Sequence, residues 1–409
     1  MNEIKEKNSL NFWFITIPLI FILFPTPFNN AQFLTYPLLG AVIVWLILKN
    51  RIFWNFYLSS KLIFILILMI FLSMLICLSI LINIENIQIS SLVHILKPIF
   101  FSLILIITYL LVAKSNYVTI TSSLLRLVYL LLIFETFVSL LQLLDINILS
   151  SIYSDKKSEG FGGKLRIVGT LGNPNIFAWI ISQIAVIMLL FEKRKGIKIV
   201  AIGIAIILIV LTGSRSFTIL TPLFLLISYL LIQKINFKFV FVILPLSFIF
   251  LVSFFKLFIW FIYKYQDLFP YLSQLTNIFE TGNLRSINSF DLRIGIWQDG
   301  LERLGDSWLF GVGPGVISTM DNDYLFAYVN YGIVYTVFQL IVYIIIGLLF
   351  IMSKSIKLKI LGIQSLILTF VVSFQADTIS GWSYPFLILF YTGVLLGLEV
   401  SDDKILKKV

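Results

Sequence analysis

The sequence predicts an all-α, polytopic membrane protein with about twelve transmembrane helices. Three observations carry that prediction. Apolar runs near twenty residues recur along the whole chain, each long enough to cross ~30 Å of hydrocarbon. Of the 409 residues, 59% are hydrophobic and only 12% charged. Most of the 30 Lys and Arg residues lie in short connectors that alternate along the chain, as the positive-inside rule requires. A transmembrane β-barrel would read as alternating segments of ~10 residues instead. The net charge of +10 lies in membrane connectors rather than on one soluble face, so it is no nucleic-acid signature. Cys77 is the single cysteine and sits inside an apolar run, which leaves no disulfide framework.

Taken in order, the expected spans are 12–28, 31–48, 61–82, 92–113, 124–144, 175–192, 197–212, 216–232, 239–260, 323–352, 358–375 and 381–399. The first follows Lys5 and Lys7 and has no small-residue cleavage site, so it reads as a retained helix rather than a signal peptide. The pair 197–212 and 216–232 reads either as a hairpin of two short helices or as one long helix broken at Thr212-Gly213-Ser214-Arg215-Ser216. With the N-terminus in the cytoplasm, the basic connectors around Lys49, Lys114, Arg194, Lys234 and Lys357 all fall inside, as does the C-terminus with Lys404, Lys407 and Lys408. The short outer connectors at 29–30, 83–91 and 376–380 carry no basic residue. Residues 1–409 read as a single integral membrane domain with two long outer loops, 145–174 and 261–322. In the second loop Ile296, Trp297, Leu301 and Leu304 are expected to form one apolar helical face against the membrane, with Trp297 and Trp308 as interface anchors.

A minority of cations breaks the topological rule. Lys156, Lys157, Lys164, Arg166, Arg215, Arg285, Arg293 and Arg303 all face outward by alternation. Cations held there without a topological reason point to an anionic ligand at the outer face of a bilayer. They also lie in or beside three recognisable segments: Arg166-Ile-Val-Gly-Thr-Leu-Gly-Asn-Pro-Asn175, Leu211-Thr-Gly-Ser-Arg-Ser216, and Phe310-Gly-Val-Gly-Pro-Gly315 followed by Asp321-Asn-Asp-Tyr-Leu325. The order and spacing of these segments, with a long outer loop before the third, resemble the O-antigen ligase/polymerase superfamily. Within it the likeness is closest to Wzy-type oligosaccharide repeat-unit polymerases, and it is concentrated in residues 160–345.

That resemblance implies a GT-C-like fold in the bacterial inner membrane, acting on undecaprenyl-pyrophosphate-linked oligosaccharides at its outer face. It implies glycosyl transfer with no cofactor, no nucleotide and no obligatory metal, and allows a chain-length regulator as partner. The chemistry suits the residues. The leaving group is a pyrophosphate whose charge grows in the transition state, and without a metal fixed cations have to meet it. Arginine does so with a planar fork of donors that stays charged. Arg166, Arg215 and Arg293 are the first candidates, with Arg285 and Arg303 behind them. Asp321 is the candidate base for the acceptor hydroxyl, with Glu159 and Asp291 as alternatives. Asn173, Asn175, Lys97, Gly313 and Asn322 are candidates for contact with substrate. Ligases of the superfamily carry a histidine near the third segment, whereas the one histidine here is His94, which favours polymerase over ligase.

A structural reading stands beside each of these. Arg215 can cap carbonyls or snorkel to the interface, and Arg166 can be an ordinary loop charge. Arg293 and Asp291 can form the solvated face of an amphipathic helix. Asn173-Pro174 has the pattern of a helix start. Gly311, Gly313 and Gly315 form either a turn or a backbone nest for phosphate, and no P-loop, since no Gly-Lys-Ser/Thr follows. Asp321 can be a helix N-cap. His94 and Lys97 can be interfacial. A ligase, a lipid-linked oligosaccharide flippase or transporter, and a membrane scaffold are the alternative functions. A transporter would more naturally place charges in mid-span, often within internal repeats.

Overall fold

A chain in lipid has to satisfy its backbone polar groups internally, so apolar runs of this length become helices. The computed structural model describes residues 2–23, 40–41, 44–45, 58–86, 89–144, 146, 158–159, 165–233, 253, 256–257, 260–261, 263–264, 288–317, 320–374 and 383–406. Its helices are α1 (Asn2–Leu23), α2 (Ser60–Ile82), α3 (Val93–Ala113), α4 (Tyr117–Leu143), α5 (Pro174–Phe191), α6 (Lys195–Leu211), α7 (Arg215–Ile232), α8 (Asn288–Leu304), α9 (Asp323–Met352), α10 (Ile356–Val372) and α11 (Ser383–Leu406). Among the described residues, seven helices are long and apolar enough to cross a membrane: α2, α3, α4, α5, α7, α9 and the 384–401 part of α11. This is the pattern of a polytopic membrane protein. Helices α6 and α10 have 17 residues each, or about 25 Å of rise.

The chain forms two compact units, residues 1–127 with 293–409, and residues 128–292. Their boundaries fall inside α4 and α8, where composition does not change, so the sequence carries no mark of the division.

In the first unit α3 packs along α11. A Cβ added at Gly393 would stand 3.0 Å from the Leu105 carbonyl oxygen, and one at Gly397 would stand 2.8 Å from that of Tyr109. Small residues at this spacing let two helix backbones approach closely. Phe21 of α1 stacks on Phe386 of α11 with ring centroids 3.7 Å apart. Lys61 pairs with Glu399 at 2.8 Å, tying the start of α2 to α11.

In the second unit α5 is the core, with Phe177, Ala178, Trp179 and Ile181 fully buried. Helices α6 and α7 pack on it, and Thr221 of α7 donates to Ser182 of α5 at 3.1 Å. The α5–α6 connector is fixed by Glu192. Its carboxylate accepts from Arg194 Nε at 3.1 Å and from the Tyr129 hydroxyl. The hydrogen-bonded Arg194 guanidinium holds the Glu192 carboxyl down at about 2.

Several expectations need correction. Helix α4 begins at Tyr117 rather than at 124: the Asn116 side chain accepts the Thr119 N–H, and the Thr121 and Ser122 hydroxyls donate to the Tyr117 and Thr119 carbonyls, so the polar first turns continue the helix. The 197–212 and 216–232 pair is two helices separated at 212–214, as in the hairpin reading. The span at 323–352 is not continuous: Gly332, at φ 84 and ψ 174, breaks α9. The all-helical class holds, and Ser158–Glu159 and Leu165–Arg166 add one two-residue antiparallel pair, β1 and β2. At the end of the 145–174 loop Ile167, Val168, Thr170 and Leu171 are buried against the protein. In the 261–322 loop a helix forms as expected. Leu304 is buried while Ile296 and Leu301 are exposed. Trp297 donates its indole N–H to the Met320 carbonyl at 2.8 Å, which ties the helix to the end of the loop. The expected spans 31–48 and 239–260 lie almost wholly outside the described residues.

Candidate active site

The first two segments meet in the second unit. On α4, Glu135 and Gln142 are seven residues, or two turns, apart and so share a face. Glu135 is fully buried. Its carboxylate accepts the Thr170 N–H at 3.1 Å and the Thr170 hydroxyl at 2.6 Å. Gln142 accepts the N–H groups of Val168 and Gly169 at 3.0 Å each and donates to the Gly169 carbonyl at 2.9 Å. These five bonds hold the 168–170 turn against α4. Gly169 has φ 55, and a Cβ there would stand 2.5 Å from Glu135 Oε2 and 2.4 Å from the Phe177 ring. Glycine is the residue that both the left-handed backbone and the space allow.

Just before the turn, the chain reaches the C-terminal end of α6. Ile167 donates its N–H to the Leu211 carbonyl at 3.4 Å. Arg166 donates Nε to the Thr212 carbonyl at 2.6 Å. The last carbonyls of a helix lack intrahelical partners and form its negative end, so a guanidinium there both caps and balances the dipole.

Just after the turn, Asn173 caps α5, accepting from the N–H groups of Asn175 at 2.8 Å and Ile176 at 3.3 Å, with Pro174 at the first helical position. Asn175 then accepts from the Ser214 hydroxyl at 2.9 Å. Ser214 stands at the N-cap of α7 but makes no side-chain cap bond. Its hydroxyl goes to α5 instead. Arg215 follows as the first residue of α7, half-buried. A helix N-terminus is the positive end of the macrodipole and favours anions. Arg215 adds a cation to that positive end, an arrangement that local helix electrostatics does not favour on its own.

The third segment lies in the first unit and is organised by the break in α9. Val312 and Gly313 donate their N–H groups to the Val329 and Asn330 carbonyls at 2.9 and 3.0 Å, and Ile333 donates to the Trp308 carbonyl at 3.0 Å. The Gly313 amide is therefore engaged within the fold, and so is that of Gly311, which bonds the Ser307 carbonyl at 2.7 Å. Asn330 is the buried hub. Its side chain bonds the Phe326 carbonyl and the Ile317 N–H, and its carbonyl also accepts from Ser79 of α2. Asn83 of the first unit donates to the Gly311 carbonyl at 3.0 Å.

Asp321 has φ 50 and pairs with Arg293 of α8 at 3.4 Å. Asn322, not Asp321, caps α9, accepting from the Leu325 N–H at 3.2 Å. Asp323, next along, is buried and donates its own N–H to the Ser373 carbonyl at 2.8 Å. Arg303 is exposed in the last turn of α8, the end where a cation suits the dipole. Lys97 lines a cleft in this unit with Pro98, Tyr331, Tyr335, Gln339 and Tyr343. His94 is not simply interfacial, since its Nδ1 bonds the Tyr331 hydroxyl at 2.7 Å. Arg285 lies outside the described residues, and nothing is described of the side chains of Glu159 and Asp291. Among the described residues, no three His, Cys, Asp or Glu side chains come together as a metal site would require.

No family model matches the chain, and no curated protein matches it.

Three residues that sequence reasoning passed over hold these sites together: Glu135, Gln142 and Asn330. Glu135 had a readable signal, an acid in the middle of an apolar run, which in a membrane span is functional by default. Gln142 and Asn330 had none beyond being amides in apolar helices.

Proposed function

We propose that this protein is a polymerase of undecaprenyl-pyrophosphate-linked oligosaccharide repeat units, in O-antigen or capsular polysaccharide synthesis. On this reading it is a GT-C-like glycosyltransferase of about twelve spans in the bacterial inner membrane, with both termini cytoplasmic. Its substrates are lipid-linked glycans at the outer face, and a chain-length regulator is a candidate partner. One observation carries the reading. Segments 166–175 and 211–216, singled out by resemblance, are hydrogen-bonded to each other through Arg166 and Thr212 and through Asn175 and Ser214. They bring two arginines to the ends of apolar helices, where the starts of α5 and α7 already favour an anion.

The reaction this corner suits is displacement at an anomeric carbon. The hydroxyl of the acceptor repeat unit forms the new C–O bond, and the bond to pyrophosphate breaks with its electron pair leaving on the phosphate oxygen. The acceptor proton passes to a carboxylate, a role for which the sequence singled out Asp321 of the first unit. Arg166 and Arg215 meet the charge that grows on the leaving group, worth most in a site that excludes water. The absence of a histidine near residues 310–325 supports polymerase over ligase.

The test is deletion in the host that makes the polysaccharide, with lipid-linked and surface glycans resolved on a gel, followed by Arg166→Ala and Arg215→Ala. A single repeat unit on its normal anchor with the ladder lost is the expected result, and each arginine variant reproduces it while still inserting. Full-length polymer stranded on its lipid carrier would indicate a ligase instead. Repeat units trapped at the cytoplasmic face would indicate a flippase. Normal chain length in both variants would remove the arginines from the chemistry.

A further inference from the structure

Glu135 sits in the apolar run of α4 and is fully buried, yet the reaction above gives it no part. Its two oxygens are matched to two donors of a single residue, the N–H and the hydroxyl of Thr170. A carboxylate supplies an acceptor for each, whereas an amide has one acceptor oxygen and would turn an N–H₂ group toward the second donor. Gln142, on the same face of α4, holds the two preceding amides. The chain between these anchors and Arg166 is Ile167 alone, itself bonded to the Leu211 carbonyl. So the turn is held from α4 on one side and from the end of α6 on the other, and Arg166 leaves it directly toward the Thr212 carbonyl.

We propose that Glu135 is a positioning residue for Arg166: by holding Thr170 it sets where the Arg166 guanidinium stands at the α6–α7 break. The geometric part stands on the hydrogen bonds alone; its consequence for catalysis rests on the polymerase reading. A buried acid in an apolar span is kept where its charge serves a function, and here it serves one through an arginine it does not touch. Gly169 belongs to the same device, because any side chain there would push against the Glu135 carboxylate.

The experiment uses the full chain in lipid nanodiscs, as wild type, Glu135→Gln, Arg166→Ala and the double variant. Amide exchange over residues 166–173 is read beside the rate of polymerisation of the host's own lipid-linked repeat unit. In Glu135→Gln the 168–170 amides are expected to exchange faster with the unfolding midpoint nearly unchanged. The rate constant kcat is expected to fall on the order of 10²-fold, as for a catalytic group misplaced by about 1 Å, with KM little altered. In the Arg166→Ala background the same change is expected to cost nothing further, since residues that act as a unit are not additive. Unchanged exchange in Glu135→Gln would overturn the positioning role whatever the polymer shows. An equal loss in both backgrounds would overturn it too, because Glu135 would then act by another route. Faster exchange together with normal polymer in Arg166→Ala would leave the positioning intact and remove Arg166 from the chemistry, whereas no polymer from the wild type would sink the polymerase reading. Should Glu135→Gln fail to insert, Thr170→Val removes one of the two donors and keeps the shape, and the same two readouts decide.

Discussion

The corner around Arg166 and Arg215 and the corner around Gly313 and Gly332 are both places where helices end or break, and both are rich in glycine. They differ in what their polar groups face. At the first, the buried Glu135 and the half-buried Gln142 of α4 hold a backbone turn by its amides, and two arginines stand at helix ends. At the second, the glycine-rich segment gives the Val312 and Gly313 amides to the broken helix α9, beside the half-exposed Arg293–Asp321 pair. A motif with three closely spaced glycines invites a phosphate-nest reading, but here the Gly311 and Gly313 amides bond within the fold, the latter at the helix break. The less conspicuous Arg166 and Arg215 segments are the ones joined into a candidate site.

The sharpest way to break this contrast is at Gly332. Its φ of 84 and ψ of 174 belong to a region that is essentially glycine's, and a Cβ would stand 2.2 Å from the Leu309 carbonyl oxygen. Gly332→Ala is expected to destabilise by more than about 3 kcal/mol, from backbone strain and a clash with backbone that cannot yield. Thermal unfolding of the purified protein in detergent measures it. A loss under about 1 kcal/mol would mean that the break in α9 does not organise the 308–313 strand as described.

A smaller effect sharpens the other corner. Asn175 and Ser214 are joined by one hydrogen bond, and that bond links the starts of α5 and α7. Asn175→Ala and Ser214→Ala are each expected to cost about 1 kcal/mol, and the double variant little more than either alone. Full additivity in a double-mutant cycle would show that the two segments are not coupled through this pair.

Among the described residues the seven long apolar helices were legible because hydrophobic length is a global property of each run. The ends of α2, α3, α5 and α9 fall within one or two residues of the expected positions. Asn173-Pro174 was legible as a helix start because cap and N1 preferences are local. The break at Gly332 was not, since a single glycine in a long apolar run reads as tolerated, and what fixes its conformation is a strand more than fifteen residues away in sequence. The buried end of the 145–174 loop was hidden for the same reason. Ile167, Val168 and Leu171 look like loop residues until Glu135 and Gln142 are seen to meet their backbone. Local chemistry is written in local sequence, whereas the partner of a buried amide is not.

The mildest prediction concerns Arg293 and Asp321. The pair is 3.4 Å apart, with side-chain exposures of 22% and 48%. At that exposure, solvent screening leaves such a pair worth only ~0.2–1 kcal/mol, and less at high salt. Arg293→Ala is therefore expected to lower stability by no more than that, with the difference shrinking as salt is raised. Any larger effect has to appear in activity. A loss of polymer at least tenfold beyond this small stability change would give Arg293 a part in the chemistry. Polymer at the wild-type level would leave the ion pair as a tie between α8 and the start of α9, in keeping with a corner whose other polar groups close on the fold itself.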